Sequence, residues 1–158
     1  MPKYNIDFEG QPTKGTLVYI EEDHAFNFTG FDKRMKTAAI TINETLQVEF
    51  LVETGKVVYV WGYYPKESWG SGKVVPPHHT NGEVYVDVGE APDMGVGYEE
   101  PSVVGKAVFD RESGWFHIGA PECSTCIEVA DHTVLGFDVE NHLRSVWLHP
   151  DIQAKDAL

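Results

Sequence analysis

Phe50-Leu51-Val52-Glu53, followed by Val60-Trp61 and Pro65, returns one residue tighter as Phe137-Asp138-Val139-Glu140, followed by Val146-Trp147 and Pro150. In each copy a Phe-x-Val-Glu run ends in turn-prone residues, Thr54-Gly55 in the first and Asn141-His142 in the second. A second apolar run then climbs to a tryptophan and stops at a proline. Short extended runs joined by such residues form β-hairpins. The repeat predicts architecture rather than activity, because what recurs is mostly core and turn.

Strand signals continue outward from both copies. Residues 16–20, 24–28, 38–42, 46–52, 57–61, 83–88, 106–109, 115–118, 127–129, 134–139 and 143–148 are rich in β-branched and aromatic side chains, the types that suit a pleated, half-buried surface. A third hairpin of looser grammar runs from Val108-Phe109 through Ser113-Gly114 to Trp115-Phe116. No apolar pattern holds a 3.6-residue period over three turns, so helix is expected at most as a short segment such as the C-terminal Asp151 to Leu158. Alternation places Val57, Tyr59 and Trp61 on one face and Val58 and Val60 on the other, which predicts a mid-sheet strand with both faces covered. In the second copy Leu143, Ser145 and Trp147 oppose Arg144, Val146 and Leu148, a mixture that suits a strand nearer an edge or a barrel rim.

Tyr63 to Gly105 differs in kind. Five prolines (65, 76, 77, 92 and 101) and glycines at 70, 72, 82, 89, 95 and 97 predict a loop-rich insertion around one strand at Glu83 to Val88, and long loops on a β scaffold carry function more often than their neighbours. No shift in composition marks a second domain. The expectation is one all-β domain over residues 1–158, an antiparallel β-sandwich or barrel built of hairpins, with 63–105 as its insertion and 151–158 as its tail.

A chain of 158 residues buries roughly 70% of the surface its unfolded form exposes, enough to stand without disulfides. Its longest nearly unbroken apolar stretch, Val57 to Tyr64, falls short of the roughly 20 residues that cross a bilayer. Met1 to Gly10 contains Asp7 and Glu9 and lacks both the cationic start and the apolar core of a secretory signal, so a cytoplasmic location is expected. Twenty-five acidic residues against twelve basic ones give a formal charge of −13. That field opposes nucleic-acid phosphates and anionic membranes, and it steers a cationic partner inward.

Three constellations have chemical content. Cys123-Ser124-Thr125-Cys126 has the spacing of half a zinc site, for which His117 and His132 supply the missing ligands; it also fits a redox pair, or two ordinary cysteines in a turn. The histidines, with a carboxylate such as Asp87, Asp110 or Asp131, suit acid–base catalysis only where they converge. Nucleotide-loop, nucleophile-elbow and zincin signatures are missing from the sequence. The aromatic run Trp61, Tyr63, Tyr64 and Trp69, leaving a strand for a loop that also holds His78 and His79, either caps the β core or presents a binding platform. The leading expectation is a non-catalytic acidic binding protein, an inhibitor or immunity-type protein that masks a basic macromolecular partner. The alternatives are a small-molecule or carbohydrate-binding β domain and a histidine–carboxylate enzyme, with or without zinc.

Overall fold

The computed structural model describes residues 2–153. In chain order its strands are β1 (Lys3–Asp7), β2 (Thr16–Ile20), β3 (Ala25–Thr29), β4 (Thr37–Ile42), β5 (Leu46–Leu51), β6 (Val57–Tyr63), β7 (Gly70–Ser71) and β8 (Thr80–Asn81). There follow β9 (Glu83–Asp87), β10 (Gly97–Glu99), β11 (Val108–Phe109), β12 (Phe116–Gly119), β13 (Thr125–Ala130), β14 (Thr133–Phe137), β15 (Leu143–Leu148) and β16 (Asp151–Gln153). Among the described residues the only helical turn is the 3-10 segment Lys66–Ser68, and no helix is long and apolar enough to cross a membrane.

Both echoed hairpins form. Gly55 supplies the positive φ (83°) that the first turn requires, and its N–H closes on the Leu51 carbonyl at 2.8 Å. Asn141 does the same in the second turn with φ 62°, a conformation that Asn tolerates better than most residues. There the Asp138 carboxylate accepts the backbone N–H groups of Glu140 and His142 and the Arg144 Nε. Those donors, the His142 N–H foremost, hold its pKa well below the usual carboxylate range.

The strands make two seven-stranded sheets and one two-stranded ribbon. The first sheet runs β10-β4-β5-β6-β3-β2-β16; the second, taken from the matching edge, runs β8-β13-β14-β15-β12-β11-β7. Hairpin β2–β3 answers β11–β12, and meander β4–β5–β6 answers β13–β14–β15, so the echo in the sequence extends to a pseudo-twofold fold. The halves exchange their edges. Strand β7, which follows the first meander, pairs parallel with β11, while β16, which follows the second, pairs parallel with β2. Strands β1 and β9, each preceding the first hairpin of its half, pair antiparallel with each other about Asn5 and Tyr85.

The inner faces of the two sheets pack into a sandwich. Phe26 of the first meets Phe116 of the second edge-on at 5.0 Å, and Tyr4 of the ribbon meets Phe137 at 5.5 Å. Each fully buried side chain of this size contributes roughly 1.5–3 kcal/mol relative to exposure. Polar groups inside are paired. The Tyr4 hydroxyl donates to Glu100 Oε1 at 2.8 Å, and the Ser102 hydroxyl lies 2.8 Å from Glu100 Oε2 and 2.7 Å from the Leu143 carbonyl. Burial pushes the Tyr4 pKa upward, which keeps that hydroxyl a donor.

Three expectations are corrected. Residues 151–153 begin no helix; they extend as β16 because the free edge of β2 offers backbone partners, and Gln153 also accepts the Glu21 N–H at 3.1 Å. The remainder of the predicted helix, 154–158, lies outside the described residues. Leu143–Leu148 lies at the centre of the second sheet rather than at a rim. The 63–105 segment is more than loop around one strand: Tyr64, Val74, Val84, Val86 and Val103 are buried, and β7, β8 and β10 extend sheet edges. Edge strands of two or three residues are formed by the partner they join, so local alternation does not announce them.

Candidate functional site

Tyr59 and Trp61 of β6 share a face because side chains alternate along a strand. Across the hairpin Glu49 stands opposite Tyr59 and Gln47 opposite Trp61; on β4, Ala39 follows Glu49 and Thr41 follows Gln47. Strand β10 completes the two rows with Gly97 and Glu99. These rows lie on the face opposite Ile40, Val48 and Val60, which are fully buried, although Tyr59 is itself buried and packs against Phe28 and Phe31. The small residues Gly97 and Ala39 leave space that the larger side chains wall, giving a groove of about 510 Å³ lined by Thr41, Gln47, Glu49, Tyr59, Trp61 and residues 95–97.

Glu49 occupies the middle of this groove. It is only 7% exposed, and its Oε1 accepts the indole N–H of Trp61 at 2.8 Å. Among the described residues it forms no ion pair. A carboxylate this deep, held by one neutral donor, bears a desolvation cost that an arriving cation would offset. Lys33 stands nearby but is engaged elsewhere: its ammonium lies 4.2 Å above the Tyr59 ring and donates to the Phe28 carbonyl at 3.1 Å. Burial lowers the Lys33 pKa, and the charge of Glu49 acts in the opposite direction. Tyr59 is pushed up to about 12, by burial first and then by Glu49.

The pseudo-equivalent face of the second sheet is sealed. Trp147 matches Trp61, and where the first sheet has Glu49, Tyr59 and Gln47 the second has Gly136, Ser145 and Val134. The Trp147 ring lies over Gly136, where an added Cβ would meet Trp147 Cζ3 at 2.7 Å and Cys123 Sγ at 2.5 Å. Val74 and Cys123 complete this small apolar cluster. Trp147 is 2% exposed and Trp61 41%, so one repeated residue has become core and the other surface.

The other aromatics of the run divide the same way. Tyr63 is 52% exposed, two residues beyond Trp61 on the same strand. Tyr64 is buried, and its carbonyl accepts the Tyr19 hydroxyl and the Trp69 indole N–H. Trp69 packs among Tyr19, Phe26, Phe109 and Phe116, with ring centroids 4.7–5.8 Å away. Tyr64 and Trp69 therefore build the core. His78 is exposed beside β8, and His79 contacts the Pro77 carbonyl at 2.9 Å and Glu128 at 3.6 Å. Both sit at the edge of the second sheet, apart from the sheet that carries Trp61.

The proposed zinc ligands are only partly brought together. Cys123 lies against Ser145, with Sγ 2.8 Å from Oγ, and interacts with Cys126 on β13. Burial raises both thiol pKa values, that of Cys126 to about 11, which leaves them protonated and poor as nucleophiles or ligands at neutral pH. His117 instead stacks on Trp147 at 4.7 Å and contacts the Ala120 carbonyl, while His132 neighbours His149 at 5.7 Å. Among the described residues no group of three or more His, Cys, Asp or Glu side chains is arranged to hold a metal ion.

Glu49, Gln47 and Thr41 are the site residues that inspection of motifs misses. The signal is present in the hairpin: Leu46, Val48 and Phe50 alternate with Gln47 and Glu49, and counting outward from Thr54-Gly55 brings these two polar residues toward Tyr59 and Trp61. A bulge at Val58, where the register shifts between Glu49 and Phe50, obscures the count by one. Compared with known proteins, the chain matches no family model and none of the curated sequences.

Proposed function

We propose that this chain is a non-catalytic binding protein that docks on a basic protein through the outer face of its first sheet and masks it, as an inhibitor or immunity-type protein does. The observation that carries the reading is Glu49: a deep carboxylate without an ion pair among the described residues, held by a half-exposed tryptophan, in a groove whose pseudo-equivalent is closed. The net charge of −13 supplies long-range attraction, and the aromatic groove supplies the short-range contact that charge alone lacks.

The test is association kinetics against a panel of basic nucleases, followed as ionic strength rises. For the strongest binder the association rate is expected to fall about tenfold or more between roughly 0.01 and 0.15 M salt, as the screening length contracts from about 30 to 8 Å. Kinetics insensitive to salt, or no binding across the panel, overturn the reading. A second reading has one observation in its favour: Trp61 stands beside the Thr41–Gln47 hydrogen-bonded pair, at 3.1 Å, an aromatic ring next to amide and hydroxyl groups in an open groove. Saturable quenching of tryptophan fluorescence by a neutral sugar, lost in Trp61→Phe, would favour that carbohydrate-binding alternative.

A further inference from the structure

We infer that the groove is a receptor for a single arginine side chain of the basic partner, its guanidinium against Trp61 and paired with Glu49. This rests on the docking reading above and narrows it to one residue type and one pair of contacts.

The reasons begin with the carboxylate. Oε1 already accepts the Trp61 N–H, but a carboxylate offers about four lone-pair directions, so both oxygens can still receive the two parallel N–H groups of a guanidinium. An ammonium makes no such paired approach. Shape points the same way: the groove is bounded by the flat indole of Trp61, and a planar, weakly hydrated guanidinium stacks on an aromatic face with less desolvation than a compact ammonium. Lys33 already covers Tyr59, which leaves Trp61 as the open ring.

Access is also provided. Along the β10 side the wall is Gly95, Val96 and Gly97, and a Cβ placed on Gly95 would meet nothing within 4 Å. A partner's main chain can therefore pass close to this edge while its side chain reaches inward to Glu49. Glu99, exposed and paired in register with Thr41, adds negative charge beside the groove without lining it.

An oligoarginine and an oligolysine peptide of equal length test the inference on the full chain, by calorimetry and tryptophan fluorescence at about 0.15 M salt. Oligoarginine is expected to bind about tenfold more tightly than oligolysine. Glu49→Gln, which keeps an acceptor for the Trp61 N–H, is expected to weaken oligoarginine binding by about tenfold or more while leaving the thermal midpoint near its original value. Glu53→Gln, an equal change of charge on an exposed residue outside the groove, is expected to weaken it less than about threefold. Equal affinity for the two peptides, no oligoarginine binding, or a Glu49→Gln effect no larger than that of Glu53→Gln overturns the inference. Should any of these occur while basic nucleases still bind with salt-dependent kinetics, the docking reading stands and only the arginine receptor falls; loss of nuclease binding as well removes both.

Discussion

Trp147→Ala is expected to lower stability by about 3–5 kcal/mol, whereas Trp61→Ala is expected to cost less than about 1.5 kcal/mol, although the two residues hold the same place in the repeated hairpins. Trp147 is enclosed by Val74, Cys126 and Val134, with Cys123 and Trp115 at the margin. Removing its ring opens a cavity that the central strand of a seven-stranded sheet cannot collapse to fill. Trp61 keeps 41% of its surface in water, so its loss forfeits limited burial and one hydrogen bond to Glu49, which solvent can replace. Since domains of this kind are stable by only about 5–15 kcal/mol, the first substitution takes a large part of the total. Urea unfolding followed by far-ultraviolet circular dichroism, a probe that does not depend on the deleted indole, measures both. The complementary effect falls on recognition: Trp61→Ala is expected to abolish the proposed docking on a basic partner while the protein stays folded.

Gly119→Ala is expected to destabilise by at least about 3 kcal/mol, with Gly89→Ala costing only about 1–2 kcal/mol. Both glycines have positive φ, 107° at Gly119 and 87° at Gly89, so both substitutions strain the backbone. They differ in surroundings. A Cβ at Gly119 would lie 2.2 Å from the Arg144 carbonyl oxygen and 2.7 Å from Ser145 Cα, whereas at Gly89 it would meet nothing within 4 Å. The obstacle at Gly119 is the backbone of β15 at the centre of the second sheet, which cannot move aside as a flexible side chain does. The difference between the two midpoints in urea isolates the close approach from the dihedral cost.

Much of the fold is legible in the residues because its determinants are local. The alternation of Leu46, Val48 and Phe50, the turn at Thr54-Gly55 and the two-faced run Val57 to Trp61 fix a central hairpin, and their return at Phe137 to Trp147 anticipates a second hairpin. What escaped depends on contacts distant in sequence. Asp151–Gln153 is extended only because β2 has an open edge; Gly70–Ser71 and Thr80–Asn81 are strands only because β11 and β13 lie beside them. Leu143–Leu148 carries Ser145 and Arg144, which reads as a rim, yet Val74 and Cys123 arrive from elsewhere to cover its outer face. The site divides along the same line. Alternation predicts a covered face at Trp61, yet Trp61 and Tyr63 are exposed, while Tyr64 from the same run is buried and Trp69 is partly buried against the core, a distinction set by Phe26 and Phe116 rather than by anything adjacent. Glu49 has no motif about it. Its significance comes from depth and from the indole above it.

Mapping backbone amide chemical shifts while oligoarginine is added to the isotopically labelled protein tests the open first-sheet face most directly. The expected result is a set of perturbations confined to residues 37–41, 46–51, 59–62 and 95–97, with the pseudo-equivalent strands 125–130, 133–137 and 143–148 unmoved. Perturbations centred on Trp147, or scattered evenly over the acidic surface, would contradict the claim that the groove beside Glu49 and Trp61 is where this protein meets its partner.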